Sequence, residues 1–250
     1  MKQILPTLLL PVLLVLVLPM NATAQFEGEI LFRGYETDSP SMTGRHLTMT
    51  TTRERMKLEG DNAYSLLPGL RATALLVRHD NNDFIFTTGP NEAFQVTSED
   101  LEGMAGMIRR VRGNTGSGAN TFDWENRLES TGQKRTIHGY SAELLRIDQG
   151  DDKWIDIWLT EEIRIHWGLL QETWNNSSLL LADPDLPIEL FMNRRSFPLL
   201  IEYVVNGDPA TVIEVSRVEE REIPHGELEI EEGVQMLGIT DLMLRMMRER

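Results

Sequence analysis

Phe26-Glu27-Gly28-Glu29-Ile30-Leu31-Phe32-Arg33-Gly34-Tyr35 alternates with a period of two. Phe26, Ile30 and Phe32 fall on one side with Gly28 and Gly34, and Glu27, Glu29, Arg33 and Tyr35 fall on the other. Successive side chains of a strand point to opposite faces, so this stretch reads as a half-buried strand with one apolar face. The same period recurs over 45–51, 53–59, 72–79, 84–88 and 93–97. It returns over 122–129, 135–137, 140–147, 154–160, 186–192, 199–205 and 211–222. Trp154, Ile155, Ile157 and Trp158 make 154–160 the most apolar of these, which predicts a central place in the sheet. The expected fold class is mainly β with a few helices.

Turn chemistry separates the strands. Asp80-Asn81-Asn82-Asp83 and Asn206-Gly207-Asp208 are short polar runs that tolerate positive φ, as tight hairpins require. Asp80 to Asp83 also carries acidic oxygens, but it lacks the twelve-position loop with a central glycine and a terminal glutamate that holds calcium, so a plain turn is the better reading. Two helical interruptions stand out. Over 98–112, acids come first and Arg109, Arg110 and Arg112 come last, which complements a helix dipole. Met104, Met107, Ile108 and Val111 there share one face. Trp167, Leu170 and Trp174 are spaced as on a helix within 165–181, although Asn175-Asn176-Ser177-Ser178 interrupts it. The end, 240–250, reads as a short basic helix.

Upstream, Lys2, an apolar run from Ile4 to Pro19 and Ala22-Thr23-Ala24 form the pattern of a secretory signal peptide cleaved before Gln25. The expected organisation is a signal over 1–24 and a single β-rich domain over 25–250. The chain has no cysteine, which removes disulfides, thiolate metal sites, cysteine nucleophiles and a lipidated anchor from consideration. The expected location is the periplasm of a bacterial envelope, or the exterior. A formal charge of −15 repels nucleic acid and anionic membranes, and no later stretch is long and apolar enough to cross a bilayer. The sequons beginning at Asn175 and Asn176 matter only in a glycosylating pathway.

Several segments together resemble a known family. They are Phe26-Glu27-Gly28-Glu29-Ile30, Thr136-Ile137-His138-Gly139-Tyr140-Ser141-Ala142, Asp156-Ile157-Trp158-Leu159-Thr160 and Phe197-Pro198-Leu199. Their order resembles the domain-of-unknown-function family 4412, which is similar in turn to the outer-membrane lipoprotein carriers. The resemblance implies a strongly curved antiparallel sheet forming an open half-barrel capped by short helices. It implies no catalytic residues. The stretch 169–185 departs from the family's pattern.

No motif announces a reaction. His46, His79, His138, His166 and His225 are far apart in sequence and form no ligand spacing, so a metal site would have to be assembled by the fold. Gly116-Ser117-Gly118 lacks the surroundings of a nucleophile elbow or a phosphate loop. The acids between Glu219 and Glu232 read as a solvated sheet face that discourages edge-to-edge association.

The remaining signal is apolar. A curved sheet has a concave side, and a loosely capped apolar wall holds acyl chains or another greasy ligand. The expected lining comprises Phe26, Ile30, Phe32, Met104, Met107, Trp154 and Trp158, with no cofactor, no metal and no catalytic residue. The leading expectation is a non-enzymatic binding or carrier protein for a hydrophobic or lipid-like ligand. Next comes an envelope interaction or assembly protein whose acidic surface meets a basic envelope protein, and after it a periplasmic hydrolase.

Overall fold

The computed structural model describes residues 25–35, 45–67, 70–103, 127–176, 191–192 and 194–248. Among them twelve strands form one sheet: β1 (Gly28–Gly34), β2 (Arg45–Thr51), β3 (Arg55–Leu67), β4 (Leu70–Arg78), β5 (Asp83–Gly89) and β6 (Glu92–Thr97), then β7 (Leu128–Ile137), β8 (Tyr140–Gly150), β9 (Lys153–Thr160), β10 (Phe197–Val205), β11 (Asp208–Glu220) and β12 (Gln235–Leu237). Two helices, α1 (Gly168–Asn176) and α2 (Ile239–Arg248), and a 3₁₀ turn (His225–Leu228) accompany the sheet, and residues 98–103 are also helical. The protein is thus mainly β with few helices. The expected signal peptide over 1–24 lies outside the described residues.

Among the described residues the strand order is β12-β6-β5-β4-β3-β2-β1-β11-β10-β9-β8-β7, open at both ends and not closed into a barrel. Each of β1 to β6 pairs with its sequence neighbour, as does each of β7 to β11, so the sheet consists of two antiparallel meanders, the second interrupted between β9 and β10 by the segment that carries α1. The hairpin tips have the expected backbone, with Asn82, His138 and Asn206 all at positive φ. Among the described residues a single antiparallel pairing joins the meanders: β1 lies against β11, from Gly28 opposite Glu220 to Gly34 opposite Ile213. At that seam a Cβ on Gly28, whose φ is +153°, would stand 2.1 Å from the Glu219 carbonyl oxygen. Glycine is what allows the two backbones to approach so closely.

Three sequence expectations change. β9 is an interior strand but stands third from the β7 end, while the middle of the sheet is β2 and β1. Its apolar character comes from burial on both faces, with Trp158 in the cluster on one side and Ile155, Ile157 and Leu159 in the cluster on the other. Phe191 and Met192, expected in a strand, are helical and buried. β12 has no counterpart in the alternation pattern; it has three residues and pairs parallel with β6, too short a run for alternation to register.

The core lies on both faces. One continuous cluster runs across the sheet from Phe94 and Val96 on β6, through Ile30 on β1, to Ala142 and Leu144 on β8. Leu169 and Leu170 of α1 and Leu242 of α2 cover it. Two smaller clusters occupy the opposite face, one around Ile147, Ile157 and Ile201 and the other around Leu76, Ile85 and Leu228. The second is pinned by Arg55, which is buried. Its Nη2 lies 2.8 Å from Asp80 Oδ2, and its Nη1 donates to the Leu228 carbonyl at 3.0 Å and to Glu229 Oε1 at 2.6 Å. The Arg55 hydrogen bonds hold the Asp80 carboxyl below its ordinary range.

Candidate functional site

The large apolar cluster is the face on which the expected lining residues converge. Phe26 and Ile30 enter it from just before and within β1, in the middle of the sheet, Phe32 packs at its margin, and Trp158 enters from β9. Phe32 stacks obliquely on Phe197 with ring centroids 5.8 Å apart, so β1 and β10 are tied across the intervening β11. Met104 and Met107 lie outside the described residues. Ile30 has no exposed surface and Trp158 is 8% exposed, so the protein's own side chains and the helices α1 and α2 fill this wall.

Trp154 shares the Trp158 side of β9 by alternation but stands apart from the cluster, towards the β9 start. The Arg146 guanidinium lies 4.6 Å from its ring centroid and is clamped by Asp156 at 2.7 and 2.8 Å. The Trp154 indole N–H is buried without an acceptor among the described residues. That end of the face is therefore polar, with a cation, a carboxylate and an unused donor beside the apolar wall.

The β7–β8 hairpin tip reaches towards the same face. His138 Nε2 donates to the Val215 carbonyl at 2.7 Å, while Ile137 and Tyr140 beside it pack against the apolar cluster. Val215 is on β11, three strands away from β8 in the sheet order. Burial, with Glu220 and Glu162 adding to it, pushes the Tyr140 phenol up.

α2 is held at the opposite margin. Leu242 is completely buried, Arg245 pairs with Glu92 of β6 and lies over the Phe94 ring, and Thr88 also donates to Glu92. The Thr88 hydroxyl and then Arg245 hold the Glu92 carboxyl below its usual range.

α1 is held by a contact that sequence spacing could not reveal. His79, just past β4, and His166, just before α1, meet edge to face with centroids 4.7 Å apart. His79 Nδ1 accepts the Leu169 N–H at 3.1 Å, and Thr173 and Ser98 share a hydroxyl hydrogen bond at 3.0 Å. Gly168 lies against both rings, and a Cβ there would stand 2.7 Å from His166 Nε2 and 3.0 Å from His79 Nδ1. Burial, then His166, pushes the His79 imidazole down to about 4. Among the described residues no group of three or more His, Asp or Glu side chains converges as a metal site.

A groove of about 540 Å³ lies on the opposite face, where Leu145 and Leu159 form its apolar floor. Glu143, Glu161, Glu162, Lys134 and Arg194 rim it. Two of the acids are already engaged, Glu143 by Ser130 Oγ at 2.6 Å and Glu162 by the Ser141 N–H at 3.0 Å.

The site and fold thus describe an open sheet, antiparallel except for the short β12, with an apolar wall under short helices. No family model matches the chain, and no curated protein matches it. Among solved structures, PNGF-II in the C2 space group is similar at a TM-score of 0.42 and 12% identity, over 89% of this chain and 33% of that one. PNGF-II in the P21 space group gives 0.41 and 14%, over 91% and 34%. The chain therefore spans about a third of the length of PNGF-II. An uncharacterized conserved protein from Thermus thermophilus gives 0.43 and 8%, over 86% of this chain and 92% of that one. Likeness this distant carries no activity and no site residue to the present chain.

Proposed function

We propose that this chain is an exported, non-enzymatic protein that binds or carries a hydrophobic or lipid-like ligand against the apolar face of its sheet. The observation that carries the reading is the single apolar cluster running from β6 to β8, covered among the described residues by short helices rather than by a second sheet. Helices of nine and ten residues make few contacts and detach at less cost than a packed sheet would.

In this reading the sheet bends into an open half-barrel with the apolar wall inside. The His138–Val215 hydrogen bond supports the bend. Strands lie about 4.8 Å apart, so β8 and β11 would be roughly 14 Å apart in a flat sheet, beyond the reach of an imidazole. The likeness to family 4412 and to the lipoprotein carriers is consistent with the same shape. Phe26, Ile30, Phe32 and Trp158 contact the apolar part of the ligand, and the polar end beside Trp154 and Arg146 receives its head.

Organic extraction of gently purified protein followed by mass spectrometry tests the reading, together with titration by Nile red and by palmitate. The expected result is a co-purifying amphiphile near one per chain and saturable Nile red binding that palmitate displaces. Extracts without lipid, together with no saturable binding of either probe, would overturn it. Export is tested separately by N-terminal sequencing of the protein released by an expressing bacterium, with Gln25 as the expected first residue.

The rimmed groove on the other face favours a second reading, an interaction protein with a basic partner of the envelope. Capture that weakens as salt rises, with an empty apolar face, would support it over the first.

A further inference from the structure

The two histidines at the start of α1 form a device that the carrier reading does not require. His79 projects from the β4 end on the apolar side, since Leu75 and Val77 of the same parity belong to the large cluster. Because Nδ1 accepts the Leu169 N–H, the imidazole is neutral and its proton sits on Nε2. That Nε2 is buried with no well-formed hydrogen bond among the described residues, and only the His166 backbone nearby favours a proton on the ring. Gly168, with φ at +31°, lets the chain turn tightly enough to bring the rings together.

Protonation of His79 removes the acceptor. Nδ1–H then faces Leu169 N–H, and the new charge sits beside His166 and at the positive end of the α1 dipole. The other charged group close by is Asp80, in the turn after β4, and its carboxylate is already taken by Arg55. On the neighbouring helical segment, Asp100 is occupied by Thr97. Asp80 favours the imidazolium through space, but burial and His166 outweigh it, and the other acids on these elements, Glu99, Glu102 and Glu172, are not among the groups that act on the ring. The low affinity of His79 for a proton in the closed arrangement agrees with this geometry.

We propose that His79 and His166 form an acid-released latch, which keeps α1 seated on the apolar face at neutral pH and frees it when His79 takes a proton. Leu169 and Leu170 leave the cluster together with the helix, and the wall beneath them opens. The role in ligand access rests on the carrier reading; the latch itself does not.

Hydrogen exchange of the full chain, read by mass spectrometry at pH 7 and pH 5 and corrected for intrinsic rates, tests the latch. Amides of residues 169–173 are expected to lose roughly tenfold in protection between those values, while those of β5 keep theirs. In His79→Asn, the amide oxygen can still accept from Leu169 but cannot titrate, so protection becomes flat with pH. His166→Gln removes the neighbouring imidazole that disfavours a proton on His79 and moves the wild-type midpoint to higher pH. A wild-type profile that is flat, a His79→Asn profile with the same fall, or an unmoved midpoint in His166→Gln would each overturn the latch. Nile red binding measured in parallel separates the two ideas. A pH-dependent helix without dye binding refutes the carrier and leaves the latch, and dye binding over a pH-independent helix does the reverse.

Discussion

Gly28→Ala should be the most damaging single-methyl change in the sheet. Gly28 lies opposite Glu220 on β11 and Thr51 on β2, so it sits where the two meanders join. An added Cβ meets the Glu219 carbonyl oxygen at 2.1 Å, Glu220 Cα at 3.0 Å and Phe26 Cζ at 3.0 Å. Carbon and carbonyl oxygen approach comfortably only to about 3.3 Å, so β1 and β11 must part by roughly 1 Å. The Phe26 ring can turn aside, but the carbonyl belongs to the backbone and moves only with its strand. Two or three seam hydrogen bonds weaken at about 1 kcal/mol each, and alanine at a φ of +153° adds about 1 kcal/mol or more. The expected loss is about 3–5 kcal/mol, a large part of the stability of an ordinary domain. Urea unfolding followed by tryptophan fluorescence and by circular dichroism measures it. Gly89→Ala is the control, because a Cβ there meets nothing within 4 Å, and it should stay within about 0.5 kcal/mol of wild type. A Gly28→Ala midpoint within about 1 kcal/mol of wild type would refute the close seam.

Gly168→Ala should cost about 1–3 kcal/mol, because its Cβ collides with two imidazole rings and its φ of +31° strains alanine; equal urea midpoints would contradict this. The pH dependence follows from His79, which binds a proton more weakly folded, at about 4, than unfolded, near 6.5. Its contribution is whole above pH 6.5 and is lost as pH falls towards 4. After allowance for solvent screening at a partly exposed ring the loss is about 1–2 kcal/mol, read as a shift in urea midpoint that His79→Asn removes. Arg55→Leu should destabilise by about 2–4 kcal/mol, since it leaves Asp80 and the Leu228 carbonyl without their donor, and should raise hydrogen exchange in the 3₁₀ turn first. His138→Ala should cost about 1 kcal/mol and leave the β7–β8 hairpin paired while its tip exchanges faster, a pattern visible by hydrogen exchange.

Local features of the fold were legible where a short window held the whole cause. Alternation marked β1, β2, β5 and β6 to within a residue or two, and the small polar residues at Asn82 and Asn206 marked hairpins because only such residues accept that backbone cheaply. Alternation failed for Phe191 and Met192, where a short apolar run suits a buried helical turn as well as a strand. It also could not place β9, because two-sided burial can arise wherever both faces are covered, not only at the sheet's middle. For the candidate face, the parity of Phe26, Ile30, Phe32 and Trp158 was enough to bring them to one cluster, and the same parity left Trp154 beside a polar end. His79 and His166 were hidden because their meeting depends on a helix folding back onto β4 and on Gly168 admitting both rings. A glycine directly after Trp167 was the one local sign, and it reads equally well as a helix breaker.

The seam has a bearing on how the chain comes to be folded at all. As the chain folds, β1 to β6 can zip into hairpins early, yet the free side of β1 waits for a partner far along the sequence. Until then the folding protein carries an unpaired strand edge and half of an uncovered oily layer, the combination that invites chaperones and aggregation. Completion is therefore an all-or-nothing, long-range event, slow for its size. Truncation anywhere before β11 should yield a sticky fragment rather than a smaller working protein.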